Sequence, residues 1–361
     1  MKKRMANMEA LRIVAMMMVV LLHYLSKGEY LLPLAGEMTT NGYVAWLLEA
    51  FAVVAVNVYM LLSGYFLVES KFRVGRLVEL LFQVLFYSVL VPVVMIVCGV
   101  LQPETVTIYQ ILQYIFPTQM LHYWFATVYV LMYVFAPILS AGIKAVTKKQ
   151  LQMTIVLLIA ILSISKSVLP VKLELDNLGY DAIWFMCVFL VAAYIRLYGI
   201  PFFASARKSI ICYVLGVLGV YVIAFCVRGF YLRTDHLDRF IDATYSYNHI
   251  IVLFASLALF YACYYFKLSS ESTMGRLICA VAPYTFGVYL LHEQIEVRYL
   301  WPKWLGANPQ APVYVMLLQT ACSVLIVFVV GIVVDYLRSL LFSFVKKCWR
   351  KTSLYAKIPF E

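Results

Sequence analysis

The segment MEALRIVAMMMVVLLHYLS, residues 8–26, decides the fold class of this chain. Nearly all of its residues are apolar, and as a helix it is about 29 Å long, which matches the hydrocarbon core of a bilayer. It is longer than the hydrophobic part of a signal peptide, and no small-residue cleavage site follows it. We therefore predict that it is retained as a membrane-spanning helix.

Segments of the same kind recur along the whole chain. Of its 361 residues, 64% are hydrophobic and 13% are charged, whereas about a quarter of the residues in a soluble domain are charged. The sequence thus predicts an all-α polytopic membrane protein with a single membrane-embedded domain, residues 1–361, and no appended soluble domain. Ten spans are predicted, at residues 8–26, 43–67, 78–101, 121–140, 151–169, 181–198, 209–228, 247–267, 277–298 and 312–337.

The distribution of Lys and Arg predicts the orientation of these spans. An even number of spans places both termini on one side of the membrane. If that side is the cytoplasm, 21 of the 29 Lys and Arg residues lie in cytoplasmic segments and 8 lie in outer ones. Cytoplasmic loops of membrane proteins carry the excess of basic residues. Both termini are therefore predicted to be cytoplasmic.

The net charge of +11 also raises the question of nucleic-acid binding. The basic residues form small, separate clusters and no basic stripe with interleaved aromatic residues, so no nucleic-acid partner is predicted. The eight cysteines include no CxxC pair, and no metal site is predicted. A phosphate loop, an HExxH pair and a GxSxG nucleophile elbow are all missing from the sequence.

Two ionisable side chains of the first span, Arg12 and His23, are eleven residues apart. At 100° per residue they return to nearly the same helix face, about 16 Å apart along the axis. Ionisable groups within a bilayer are costly enough to be functional candidates, and histidine exchanges a proton near neutral pH. His23 is the predicted catalytic base, with Arg12 as its partner. A packing histidine and a snorkelling arginine explain the pair equally well from the residues alone.

A second basic cluster, Lys71, Arg73 and Arg76, lies in the first predicted cytoplasmic loop. If this segment is helical, Arg73 and Arg76 share a face, and two guanidinium groups can bind phosphate oxygens bidentately. The cluster is a candidate binding site for a phosphate-bearing donor. Ordinary anchoring charge on the cytoplasmic side is the alternative.

Candidates for substrate binding lie in the outer halves of the predicted spans. His122 and His292 are ionisable, and Trp124 and Tyr24 have aromatic faces suited to a sugar ring. Packing histidines and an aromatic belt at the membrane interface are the alternatives. Adjacent helical residues point about 100° apart, so His292 and Glu293 are not expected to form a simple dyad.

Five motifs, in order along the chain, resemble those of the integral-membrane acyltransferase type three family. Arg12 and His23 are similar to its R-x10-H signature, and Arg73-Val74-Gly75-Arg76 is similar to its R-x-x-R loop. The segment VNVYMLLSGYF (56–66) is similar to an FFxxSGF-type segment, with Val58 and Tyr59 in place of the usual aromatic pair. The segment HYWF (122–125), followed by Tyr133 and Pro137, is similar to a WF(x)nP segment. The segment TFGVYLLH (285–292) is similar to a late TFGIYLLH block.

The resemblance implies transfer of an acyl group, commonly acetyl from acetyl-CoA, to a hydroxyl of an envelope or exported molecule. The expected partners are acyl-CoA, an envelope glycan or lipid-linked saccharide, and the lipid bilayer, and the expected location is the bacterial cytoplasmic membrane. His23 would then be the base, while Arg12, Lys71, Arg73 and Arg76 would hold CoA from the cytoplasmic side.

Two other functions stay open at this point. One is a carrier or flippase for lipid-linked saccharides, although no internal repeat is visible. The other is a membrane glycosyltransferase that uses Glu29 or Glu37, although neither acid belongs to a DxD-like pair.

Overall fold

All regular secondary structure in the computed structural model is helical within the residues that the structure describes, 4–169 and 177–349. Residues 1–3, 170–176 and 350–361, which belong to the predicted 1–361 domain and include basic residues of the charge count, lie outside the described residues. The helices are α1 (Ala6–Lys27), α2 (Thr40–Ala52), α3 (Ala55–Leu67), α4 (Val74–Val97), α5 (Ile108–Ile115), α6 (Trp124–Ala145), α7 (Lys148–Ile159), α8 (Ser165–Val168), α9 (Ala182–Tyr198), α10 (Ala206–Thr234), α11 (Asp238–Ala243), α12 (Ile250–Tyr265), α13 (Thr273–Val281), α14 (Thr285–His292), α15 (Trp301–Trp304) and α16 (Val313–Trp349).

Eight helical segments in the described part are long and apolar enough to cross a membrane, counting α2 with α3, α7 with α8, and α13 with α14 as single segments. The all-α class and the membrane-spanning character are thus confirmed. Two shorter apolar helices, α9 and α12, lie where the sequence predicts two further spans. The count of ten spans and the orientation stay predictions.

Side-chain caps fix where many of these helices begin. Thr39, Asp181, Ser205 and Ser272 each accept a hydrogen bond from a backbone N–H of the first turn of the helix that follows. Such caps satisfy N–H groups that have no partner within the helix. Asp181 is the N-cap of α9, and the residue before it, Tyr180, belongs to the site described below.

The first helix is the centre of the bundle. It packs against α2, α3, α12, α13, α14 and α16, whereas α10 and α16 leave most of their apolar surface exposed, as expected for helices that face lipid. We call the two ends of the bundle the Arg12 end and the Lys27 end, after residues near the start and the finish of α1. His23 lies between them, inside the bundle.

Helices α9 and α12 are short for a membrane span. With 17 and 16 residues they are about 26 Å and 24 Å long, less than the roughly 30 Å of a bilayer core. Both start at the Lys27 end with polar residues, Asp181 and His249, at their N-caps. The chain segments just before these two starts meet, since the backbone N–H of Tyr247 donates to the carbonyl of Leu178 at 3.1 Å, and we call the region around them the recess.

Glycines bring α14 and α16 into close contact. A Cβ at Gly287 would overlap with the carboxyl group of Asp335, and a Cβ at Gly331 would lie 2.7 Å from Cα of Val288. Small residues allow this approach of two helices in membranes. Asp335 is fully buried and accepts hydrogen bonds from Tyr87 at 2.9 Å and from Arg338 at 2.7 Å. This contact fixes the position of α14, which carries His292.

Candidate active site

A cavity lies beside His23 in the middle of the bundle. Its wall runs along α1 and across to α3, α6 and α14, and most of it is apolar or aromatic. Such a lining, with few polar groups, is typical of ligand pockets. The lining residues are Met16, Val19, Leu22, His23, Val56, Tyr59, Trp124, Phe125, Tyr247, Phe286 and Tyr289.

The hydrogen bonds around His23 determine which of its ring nitrogens carries the proton. His292 Nδ1 lies 2.6 Å from the carbonyl oxygen of Val288, and because a carbonyl only accepts, His292 Nδ1 is the protonated nitrogen. In the neutral ring His292 Nε2 is then an acceptor. It lies 2.9 Å from His23 Nδ1, which must therefore donate. The lone pair of neutral His23 consequently lies on Nε2, for which the described residues give no hydrogen-bond partner.

Glu293 is the second acceptor for the same N–H. Its Oε2 lies 3.1 Å from His23 Nδ1, and its carboxylate also contacts Lys27 Nζ and lies 3.6 Å from Arg298. A carboxylate behind an imidazole orients the ring and stabilises its protonated form. The arrangement prepares His23 Nε2 to accept a proton from a group in the cavity.

His292 and Glu293 meet at His23: each contacts the same nitrogen of that ring. The predicted span 277–298 treated the two as members of one unbroken helix, but α14 ends at His292 and Glu293 is its C-cap, with φ −97° and ψ 3°.

His122 and Tyr123 hold the turn that follows α14. Both are buried, and their rings stack with centroids 4.1 Å apart. The backbone N–H of Ile295 donates to His122 Nε2 at 3.2 Å, and the hydroxyl of Tyr123 donates to the carbonyl of Leu290 at 3.0 Å. Burial lowers the pKa of His122 to about 4, so the ring is neutral at pH 7 and accepts at Nε2.

Two of the predicted substrate-binding residues are therefore not on the cavity wall. His122 is buried under the 290–295 turn, because its ring nitrogens are used by backbone groups. Tyr24 is fully buried and packs against Tyr30 and Trp301, with ring centroids 5.5 Å and 5.6 Å away. It follows His23 directly and so points to another side of α1.

The other two predicted substrate-binding residues do lie at the site. Trp124 lines the cavity, and His292 contacts His23 directly. Trp124 also belongs to an aromatic group that the sequence did not predict: Tyr180 lies 4.5 Å from its ring centroid, and Tyr247 stacks on it at 5.9 Å and 15°. These three rings form the wall of the recess above the starts of α9 and α12.

The predicted donor-binding residues lie toward the Arg12 end. Arg12 forms an ion pair with Glu9 at 3.5 Å. Arg73 has an extended backbone and is the N-cap of α4. Arg76 is the third residue of α4, so one of the two arginines lies within the helix and the other at its cap. Lys71 and both arginines of the loop are exposed.

The ligand atoms of His23, His292 and Glu293 lie within 4.8 Å of one another, close enough to surround a metal ion. The surrounding charges oppose such an ion, because Lys27 and Arg298 already face the carboxylate. A divalent ion would also have to replace the proton that His23 Nδ1 shares with both acceptors. The geometry fits a proton-transfer site better than a metal site.

Comparison with known protein families matches residues 5–336 to the family described as an acyltransferase domain. The chain belongs to the acyltransferase type three family. It is accordingly an acyltransferase with membrane-spanning helices, and the match covers every motif quoted above. No curated protein and no solved structure matches the chain.

The 56–66 segment, one of the motifs that resemble this family, contributes residues to the cavity and to its support. Within the 56–66 segment, Val56 and Tyr59 line the cavity. Asn57 is fully buried, accepts a hydrogen bond from Trp184 Nε1 at 2.9 Å and donates to the carbonyl of Tyr247 at 2.7 Å. Asn57 thus fixes one part of the acyltransferase cavity wall to another.

Sequence reasoning missed several residues of this site. Lys27 gave a signal, since it lies four residues after His23 and so one helical turn away. Glu293 was considered only as a partner of His292, and Arg298 and Tyr247 gave no signal, because only the folded chain brings these residues next to α1.

Proposed function

We propose that this acyltransferase moves an acetyl group from acetyl-CoA, bound from the cytoplasm, to a hydroxyl of an envelope glycan or lipid-linked saccharide. The observation that carries the proposal is the state of His23, whose Nδ1–H is held by His292 and Glu293 while Nε2 is free at the cavity. A base held in this way is what acyl transfer to a hydroxyl requires.

The chemical step uses His23 alone as the proton carrier. The acceptor hydroxyl gives its proton to His23 Nε2 as its oxygen attacks the thioester carbonyl carbon. The tetrahedral intermediate then collapses, the carbon–sulfur bond breaks, and the CoA sulfur takes the proton back from His23. Glu293 stabilises the imidazolium between these two transfers, and the products are the acetyl ester and CoA.

The Arg12 end supports binding of the donor's phosphates. Arg73 and Arg76 flank the start of α4, a 24-residue helix with no side-chain cap, and helix N-termini attract anions. In this proposal the adenine nucleotide part of CoA binds there, with Lys71 at the exposed edge, and the pantetheine arm extends along Tyr59 and Met16 to His23.

The Lys27 end supports binding of the acceptor. The aromatic wall formed by Trp124, Tyr180 and Tyr247 gives a sugar ring apolar faces to contact, and Tyr180 remains 41% exposed. With both termini in the cytoplasm, this end faces the cell envelope. Donor and acceptor would then meet inside the bundle at His23.

The rival functions have less support in the structure. A carrier has no need for a base whose tautomer is fixed by two acceptors. Glu29 and Glu37, the acids that a glycosyltransferase could use, are exposed in the loop before α2, and neither lines the cavity.

The deciding experiment is an acetyl-transfer assay with the purified protein in lipid nanodiscs. The donor is acetyl-CoA labelled in the acetyl group, and the acceptor is envelope polysaccharide of the source cells, freed of existing esters with mild alkali. We expect label in the polysaccharide and an equal amount of released CoA. Lipid-linked saccharide crossing a membrane in the absence of acetyl-CoA, without any label transfer, would favour the carrier.

A further inference from the structure

Glu49 is a carboxylate that the mechanism above does not use. It lies on α2, nine residues after the first residue of that helix, and α2 belongs to a membrane-spanning segment. An acidic side chain at that depth is costly to bury and marks a functional site by default.

Its carboxylate lacks a compensating partner within the described residues. Oε2 is buried without a hydrogen-bond partner in the part of the chain that the structure describes. A buried acceptor left without a donor costs free energy, so its retention calls for a donor that arrives with a ligand.

The residues around Glu49 connect it to the acceptor recess. Glu49 lies three residues after Trp46 on α2, and the rings of Trp46 and Tyr245 have centroids 4.6 Å apart. The hydroxyl of Tyr245 is already used, because it donates to the carbonyl of Trp46 at 3.0 Å. Tyr247 lines the cavity of His23, and its ring lies 4.7 Å from that of Tyr180.

We propose that Glu49 is a recognition site for the acceptor, where its carboxylate accepts hydrogen bonds from hydroxyls of a sugar ring that lies against Trp124, Tyr180 and Tyr247. The inference rests on the proposed function and adds the residue that selects the acceptor. Aromatic faces contact the apolar side of such a ring, while a carboxylate binds its hydroxyls, and a few placed polar groups fix the orientation of a ligand in a pocket. Glu49 binds one part of the saccharide while another hydroxyl reaches His23.

The test compares two substitutions of Glu49 in the nanodisc assay. Glu49→Gln keeps one acceptor oxygen and replaces the other by an amide N–H group, and Glu49→Leu removes both oxygens. Acceptor concentration is varied with the alkali-treated polysaccharide as the probe, and hydrolysis of acetyl-CoA without polysaccharide reports the donor side separately. Glu104→Gln, an exposed acid outside the recess, is the matched control.

We expect Glu49→Gln to raise the half-saturating polysaccharide concentration several-fold, as for the loss of one hydrogen bond, and Glu49→Leu to raise it further. The KM for acetyl-CoA and the polysaccharide-independent hydrolysis should match the control. An equal loss in both variants would indicate that an ammonium group, not hydroxyls, binds at Glu49 and would overturn the proposal.

Two other outcomes are distinguishable. An unchanged half-saturating concentration in both variants, or a parallel loss of acetyl-CoA hydrolysis, would overturn the role of Glu49 while leaving the proposed function intact. Failure of the unmodified protein to label the polysaccharide would instead refute the proposed acceptor, and with it this inference.

Discussion

The sharpest mechanistic prediction concerns Glu293→Gln. The substitution keeps the size of the side chain but removes the charge that stabilises protonated His23. Two unit charges 3.1 Å apart attract by about 5 kcal/mol at an effective dielectric constant of 20. Lys27 and Arg298 share that carboxylate, so only part of this energy acts on His23.

At about 1.4 kcal/mol per factor of ten, loss of half or more of it lowers kcat by roughly 10²–10³. We expect the KM for acetyl-CoA to stay within about threefold, because Glu293 does not face the donor's phosphates. Glu293→Asp should recover part of the rate, since it restores the charge with a shorter side chain. The assay is the initial rate of CoA release, measured by chromatography.

Glu296→Gln is the matched control for this experiment. Glu296 lies three residues further along and accepts hydrogen bonds from Tyr114 at 2.6 Å and Gln110 at 3.1 Å, away from His23. Its loss should leave kcat nearly unchanged. A Glu293→Gln enzyme with kcat within threefold of the unmodified protein would refute the assignment of Glu293 as the residue that positions and stabilises His23.

Three further predictions follow from other parts of the molecule. Arg73→Ala and Arg76→Ala should each raise the KM for acetyl-CoA about tenfold with little change in kcat, since they remove binding common to ground and transition states; Lys144→Ala is the control, and lost expression instead would support a pure anchoring role. Gly287→Ala should destabilise the protein by about 1–3 kcal/mol, because the added methyl group overlaps with Asp335. Gly142→Ala is the control and should not destabilise the protein, because the space around Gly142 is open. Equal melting temperatures for the two variants would contradict the close contact of α14 with α16. A cysteine that replaces Asp235, which follows α10, should react with a membrane-impermeant thiol reagent in intact cells stripped of any outer membrane, and a cysteine that replaces Lys148 should not. The labelling of the eight native cysteines, measured in the unmodified protein, is subtracted. The reverse pattern would invert the predicted topology.

The sequence allowed much of the helical framework to be predicted, because the apolar length of a membrane span is a local property. Helix ends were less predictable. The last predicted span, 312–337, extends to Trp349 as α16, since the residues after 337 keep helical spacing. The predicted span 277–298 stops at His292, where the chain turns and brings Glu293 back toward α1.

The candidate site was predictable only in part, for a related reason. His23 and Arg12 lie on one helix, so their common face follows from helical geometry. The partners of His23 come from a turn some 270 positions later, and no local pattern indicates such a contact. The same holds for Trp46 of α2 and Tyr245, whose rings lie 4.6 Å apart although 199 positions separate them.

The most direct test of the central claim is acetyl transfer by His23→Ala. The variant should insert and fold like the unmodified protein, because α1 loses one side chain and no part of its apolar length. In the labelled acetyl-CoA assay, with matched amounts of folded protein in nanodiscs, we expect acetylation of the polysaccharide to fall by at least 10². Undiminished labelling of the polysaccharide by His23→Ala would contradict the assignment of His23 as the base.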